Sequence, residues 1–407
     1  MKTFGVGCFH FGITDKMPSP FSANDYVAAI RATLGQIANI SAIDVDFDYD
    51  GDPDKLFERN KDIPPFDGTN DWFPYISYLD ISFDVYLPYR VQAELIEMTE
   101  ERVFTQTERF RVLMRNSYHS PVVYIQLLDA KDTDCTPSDA VVLLRRHLKH
   151  EIERQDGSLK LEFTGPSPFH ADFFFELNKE LTTPSFNLSL ERKRGYDKLL
   201  FSAKGDEYAG EEQALAALFD ELDDELALFY SLIRSRNAYY REWIQVESYM
   251  FDVTSSETKK NITARFHKVC THGKRLGVLI DALCNFRAFV LSDRQICAEA
   301  YRTTYTSEGF LKPYIDEEFN NPPTFPVQEV TELVRFREQR HSKFWELTAV
   351  LVSAVLGGLV GSILTFLLTQ TIVSTKEHVV NQVKAPIESK AQPASAGDIA
   401  NRAAPEK

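Results

Sequence analysis

Residues 347–369 read LTAVLVSAVLGGLVGSILTFLLT, 23 positions without a charge. At 1.5 Å per residue a helix of that length is about 35 Å long, against a bilayer hydrocarbon core of about 30 Å. A buried helix of a water-soluble protein nearly always keeps a polar stripe, and this stretch has none. It predicts a transmembrane helix at residues 347–373, which divides the chain into a long N-terminal part and a short tail.

The flanks set an expected orientation. Before the span, RFREQRHSKFW (335–345) carries Arg335, Arg337, Arg340 and Lys343; after it the next cations are Lys376, Lys384 and Lys390. Cytoplasmic flanks carry the excess of Lys and Arg, and aromatic residues such as Phe344 and Trp345 settle at the interface. The opening MKTFGVGCFHFGITD lacks the apolar core of a signal peptide. The five cysteines, Cys8, Cys135, Cys270, Cys284 and Cys297, are widely spaced with no C-x-x-C pair. That suits free thiols in a reducing compartment rather than a disulfide framework or a zinc site. The N-terminal part is therefore expected in the cytoplasm and the tail, 374–407, on the opposite side. The tail is rich in Ala, Pro, Ser and charge, a composition expected to be disordered. A net charge of −15 argues against nucleic acid as a partner, since phosphate neutralisation needs a basic surface.

Working upstream, the period of the apolar residues changes near Gly205. Before it, period-two runs alternate with helical ones. Strands are expected at 3–11, 42–49, 79–87, 159–164, 171–177 and 197–203, with RFRVLMR (109–115) and VVYIQLLDA (122–130) as a hairpin. Helices are expected at 22–39 and from Thr136-Pro137 to just before Gly157, where Thr suits the N-cap and Pro the first helical position. The order strand–helix–strand–strand occurs twice, at 3–87 and 122–177, as a duplicated α+β unit would.

After Gly205, Leu215, Phe219, Leu222, Leu226, Phe229 and Ile233 step by four and three, as a heptad seam does. It continues through Tyr240, Trp243 and Met250. A second seam runs through Ile262, Phe266, Val269, Leu276, Ile280, Leu283 and Val290. The short DVTSSE junction between them predicts an antiparallel helical hairpin. The expected layout is an α+β cytoplasmic head (1–205), a helical hairpin or coiled-coil stalk (206–325), a juxtamembrane helix (326–346), one C-terminal transmembrane helix (347–373) and the tail.

Within the head, IDVDFDYDGDPD (43–54) places Asp at every second position. Strand alternation explains this without a ligand: Ile43, Val45, Phe47 and Tyr49 pack while the carboxylates face water. D46-x-D48-x-D50-G51 also matches the opening of a calcium loop, in which carboxylates one residue apart converge on the ion. The match stops at the twelfth position, where Phe57 stands in place of the bidentate Glu, and Pro53 occupies the eighth. The solvated face is the stronger expectation. Asp46, Asp48, Asp50 and Asp52 as a Ca2+ or Mg2+ site is the sharper one, with Asp80 and Asp84 able to enlarge it. The following proline-rich segment carries Phe66, Trp72, Phe73 and Tyr75, which either grip a ligand or partner or pin the loop to its own domain. His147, His150 and Glu151 have a metal-compatible helical spacing, but Leu144, Leu148 and Ile152 mark the buried face and leave His150 among charges.

An α/β cytoplasmic head, long helices and a C-terminal membrane segment give a layout that resembles CorA-type magnesium channels, which would imply ion transport. Those have two spans and a Gly-Met-Asn motif; this chain has one span and no such tripeptide. No glycine-rich phosphate loop or other strong catalytic motif accompanies the carboxylates. A non-enzymatic, membrane-anchored sensor, binding or scaffold protein is the leading expectation. A metal-dependent membrane-anchored enzyme and an oligomeric pore are the alternatives. Ser353, Gly357 and Gly361, and Ala354, Gly358 and Ser362, form two adjacent rows of small residues four apart. In lipid such rows let helix backbones approach closely, so they are expected to support a homo-oligomer.

Overall fold

The computed structural model describes residues 1–48, 52–56, 65–66, 71–72, 78–97, 105–117, 120–130, 136–165, 168–178, 186–192, 196–205, 207–255, 262–306 and 309–382. The chain forms two compact units, Met1–Thr331 and Glu332–Lys407.

The first unit is built on strands β1 (Lys2–Ile13), β2 (Ile40–Asp48), β3 (Pro65–Phe66), β4 (Asp71–Trp72), β5 (Tyr78–Tyr86), β6 (Arg109–Ser117), β7 (Val122–Leu127), β8 (Leu159–Gly165), β9 (Ala171–Asn178), β10 (Asn187–Glu191) and β11 (Asp197–Lys204). Helices α1 (Ala23–Gly35), α2 (Tyr89–Glu97) and α3 (Pro137–Gln155) are interleaved with them. Then come α4 (Glu211–Ser255), α5 (Ile262–Thr304), α6 (Lys312–Asn320) and α7 (Val327–Gln382). The main sheet has the order β10-β11-β9-β1-β7-β6-β5-β2, with β8 also paired to β1; β3 and β4 pair separately. The sheet is mixed, since β9 and β11 run parallel while the other pairs are antiparallel. β6 and β7 form the expected antiparallel pair.

β1 is buried along nearly its whole length because both faces of the sheet are covered. Its even positions, Phe4, Val6 and Cys8, enter one core with Phe173, Phe201 and the α4 residues Leu215, Leu218, Leu222 and Leu226. Its odd positions, Phe9, Phe11 and Ile13, enter the other with Tyr26 and Ile30 of α1 and Leu144 and Leu148 of α3. Gly5 and Gly7 share that odd parity and let α3 lie directly on the strand: a Cβ at Gly5 would sit 2.3 Å from the Pro137 carbonyl oxygen. Ser22 and Asp25 cap α1 reciprocally, as in a capping box. The α3 start at Thr136-Pro137 is as expected, and Asp156, with φ of 50°, ends that helix in the left-handed conformation.

Three expectations change. The two strand–helix–strand–strand segments pair differently: β2 bonds to β5, whereas β8 and β9 each bond to β1. They share an element order and no pairing pattern. The first half of α4 buries Ala214, Leu218, Leu228 and Tyr230 beside the seam positions. That width belongs to a helix lying on a sheet, broader than the two positions per heptad of a coiled coil. Finally α2, α6, β3, β4 and β10 join the elements read from the sequence.

Beyond the sheet, Tyr239 and Trp243 of α4 pack against Phe289 and Phe286 of α5. In the second unit, the apolar side chains of α7 from Leu347 to Leu368 are exposed. This C-terminal helix is long and apolar enough to cross a membrane.

Candidate functional site

Two places in the first unit gather polar side chains, and they differ in kind. The first is a recess of about 260 Å³ between α4, α5 and the segment that leaves α6. α4 contributes Ser235, Arg236 and Tyr239, one helical turn apart; α5 contributes Arg294 and Cys297; Glu318 to Pro323 form the remaining wall.

Both ends of that wall are anchored. At one end, the buried Glu225 of α4 accepts hydrogen bonds from the Tyr305 hydroxyl (2.8 Å), Phe310 N–H (2.8 Å) and Leu311 N–H (2.9 Å). This fixes the entry to α6, and Arg236 pairs with Glu318 at 3.1 Å further along. At the other end, Phe325 packs against Tyr240, Trp243 and Phe286 with ring centroids 5.2–5.5 Å apart. Between these anchors, Asn320 to Pro323 cross the recess as a strap, stiffened by two prolines whose φ is fixed.

The charges in the recess are uneven. Arg236 is matched by Glu318, whereas Arg294 has no ion-pair partner among the described residues. Burial raises the Cys297 thiol above its ordinary pKa, so it stays neutral; it lies 3.4 Å from Ser235 Oγ. A neutral thiol is a poor nucleophile. Burial, reinforced by a hydrogen bond to Asp293, likewise keeps Tyr239 a neutral phenol. Asp293 takes the Tyr239 hydroxyl and the Cys297 thiol, which leaves Arg294, the Ser235 hydroxyl, the Asn320 and Asn321 side chains and an aromatic wall to meet a small polar ligand.

The second place is the face of the sheet over β2, β5 and β6. Asp44, Asp46 and Asp48 are exposed there, while Val45 is buried and Ile43 and Phe47 pack on the core. The alternation thus sorts carboxylates to water and apolar groups inward. Asp46 lies opposite Asp80 in the ladder, and Arg115 follows on the next strand. Arg115 sits 3.5 Å from Asp80 and also pairs with Asp220 of α4; Arg111 pairs with Asp84 at 2.9 Å. Burial leads the rise in the Asp80 pKa, partly offset by Tyr78 and Arg115, and Asp46 and Asp220 add to it.

The four carboxylates singled out as a cation site do not converge in the part that is described. Asp46 and Asp48 share the solvated strand face. Asp52 instead accepts from the Asp54 N–H (3.0 Å), and Asp54 in turn accepts from Asn24 Nδ2 (2.6 Å). Asp50 lies outside the described residues, as do Phe73 and Tyr75. The side chains of Phe66 and Trp72 also lie outside them, although their backbones pair in β3 and β4. Among the described residues, no group of three His, Cys, Asp or Glu side chains is placed to hold a metal. His147 is buried against Asn39, and its ring stays neutral because burial lowers its pKa; His150 is exposed beside Glu151.

Ser353, Ala354, Gly357, Gly358, Gly361 and Ser362 are all exposed on α7, and a Cβ at any of the three glycines would meet nothing within 4 Å. Ser362 and Thr365 donate to the carbonyls of Gly358 and Gly361 (2.7 and 2.8 Å), so their hydroxyls are satisfied within the helix.

The sequence did not point to the recess. Its α4 wall lies some sixty to eighty residues before the other two, which are themselves about twenty apart, and the three share no spacing; the sole local signal was the proline pair that follows α6. No protein-family model matches the chain, and no curated protein or solved structure matches it.

Proposed function

We propose that this is a membrane-anchored sensor: a mixed-sheet head and an antiparallel α4–α5 hairpin hold a small anionic ligand in the recess, and the strap carries occupancy toward α7. The observation that carries this reading is the strap itself. Asn320 to Pro323 both wall the recess and connect α6 to the start of α7. A ligand that bridges Arg294 and the strap would favour one arrangement of the segment, which is all a population shift requires.

The test uses inorganic phosphate and sulfate as probes, at fixed ionic strength against chloride, on the detergent-solubilised full chain. Binding to the folded state alone stabilises it by RT ln(1 + [L]/Kd), about 2.7 kcal/mol at a hundredfold excess over Kd. The melting temperature is expected to rise by several degrees, and Arg294→Ala is expected to abolish the rise. An equal rise in Arg294→Ala would locate the effect elsewhere and end this reading.

Self-association through the small-residue face of α7 belongs to the same proposal. Gly357→Ile with Gly361→Ile keeps the helix apolar while holding partner backbones apart. Cross-linking in membranes is expected to shift from oligomer to monomer. An unchanged ladder of cross-linked species would assign assembly to another surface.

A further inference from the structure

Four residues preceding the apolar part of α7 share one side of the helix. At 100° per residue, Lys343, Phe336, Arg340 and Phe344 fall within a sector of about 100°. Glu338, Ser342 and Glu346 occupy roughly the opposite side, together with Arg335. Phe336 and Phe344 are 60% and 46% exposed, so neither is packed into a core. Arg340 and Lys343 make no ion pair with any described residue, although carboxylates stand two and three positions away. Glu346 is turned to its own side, where it accepts from the Ser342 hydroxyl (3.5 Å).

We infer that this basic and aromatic face binds anionic phospholipid headgroups. The inference rests on the reading of α7 as a membrane span and adds a lipid preference to it. If the hydrocarbon begins at Leu347, Lys343 lies about 6 Å and Arg340 about 10 Å above it along the axis. The headgroup layer on each side of a bilayer is about 5–8 Å thick, so Lys343 is within it and Arg340 a few ångströms outside it, a distance its long side chain can span. Both lie within about one Debye length of the lipid phosphates, where a cation is attracted to an anionic surface. Phe344, three residues before Leu347 and about 5 Å above it, lies on the same side, and its phenyl ring can reach the hydrocarbon boundary while the cations remain among phosphates; Phe336, eleven residues before Leu347, stands outside the headgroup layer. A modest tilt toward this sector, ordinary for membrane helices, brings Arg340, Lys343 and Phe344 closer to the surface. A protein partner with an acidic surface would also satisfy the charges. The position of Lys343, Phe344 and Arg340 directly above the apolar span favours lipid.

The experiment reconstitutes the full chain into phosphatidylcholine vesicles carrying trace spin-labelled phosphatidylserine or spin-labelled phosphatidylcholine. Electron spin resonance reads the fraction of each label immobilised against the protein. At low salt, phosphatidylserine is expected to be enriched at least about threefold over phosphatidylcholine, and molar salt is expected to remove the enrichment. Arg340→Gln with Lys343→Gln is expected to bring the two labels to equality. Arg335→Gln, on the opposite side, is expected to leave the enrichment in place. Absence of an immobilised component for both labels would overturn the membrane span itself. An immobilised component without preference, or a preference that survives the double substitution, would overturn the headgroup site and leave the span standing.

Discussion

Gly5→Ala is expected to cost the protein about 3 kcal/mol or more, the upper end of what overpacking a core does. The added Cβ would stand 2.3 Å from the Pro137 carbonyl oxygen, 3.0 Å from its carbonyl carbon and 2.6 Å from Val141 Cγ2. The first two atoms are backbone at the start of α3 and have no rotamer to change. Relief requires α3 to move off the sheet, and α3 carries Leu144, Leu148 and Ile152 in the core. Gly7 supplies an internal control. Its Cβ would meet Val141 Cγ1 at 2.5 Å and nothing else closer than 3.8 Å. Val141→Ala should therefore rescue Gly7→Ala in large part and leave Gly5→Ala uncorrected. Denaturant midpoints of the single and double variants decide this; a Gly5→Ala midpoint equal to that of the parent would show that α3 does not rest on β1 as described.

Such close approach of a helix to a strand is not written in any local pattern. MKTFGVGCFHFGITD reads as a strand from its alternation, and the parity of its apolar residues already implies two buried faces. Which helix lies against Gly5 depends on Pro137, more than 130 residues away. The same division holds across the head. Period-two runs gave the strands their positions, because a strand with one buried face must sort its side chains. Their order across the sheet, with β1 at the centre and β9 parallel to β11, depends on contacts with no sequence period. α2 went unseen because Val91 and Leu95 pack only at the margin of the core, too short a stripe to show a helical period. α6 went unseen for a similar reason, with Ile315 its one fully buried side chain. The aspartates of β2 were legible as a solvated face because alternation alone accounts for them. The recess was not legible, since Ser235, Cys297 and Glu318 meet only after α4, α5 and α6 have packed. The apolar C-terminal helix needed no partners at all, its length and composition being local properties.

Glu225 shows what that blindness to tertiary contact concealed. In the sequence it is one more charge in ELDDELALF, one residue before the apolar Leu226. In the fold it is 5% exposed and receives the Tyr305 hydroxyl and the N–H groups of Phe310 and Leu311. Gly309 stands beside it because a Cβ there would lie 2.5 Å from Glu225 Oε2. Glu225→Ala leaves three donors without an acceptor, at about 1–3 kcal/mol for each that stays buried, so a total of about 3–5 kcal/mol is expected after partial relaxation. Hydrogen exchange should locate the loss, with amides of 309–326 exchanging faster while those of β6 and β7 stay protected. Glu225→Gln should restore protection only in part, because its carboxamide keeps one acceptor oxygen while its NH2 group takes the place of the other and faces a donor. The wild-type carboxyl also carries a pH signature. Burial, only partly offset by the three donors, raises its pKa above the ordinary 4.5. The neutral acid is accommodated because the Tyr305 oxygen can accept its proton in place of donating. A carboxyl whose folded pKa exceeds its unfolded one contributes stability that is complete below the unfolded value and lost as pH rises through the folded one. The stability of the parent relative to Glu225→Gln should therefore fall from about pH 4.5 upward and level off above the raised pKa. Urea midpoints of the two proteins across pH 4–8 measure that difference, and a gap that widens with rising pH would mean that the donors outweigh burial and that Glu225 holds the strap as a preferred anion.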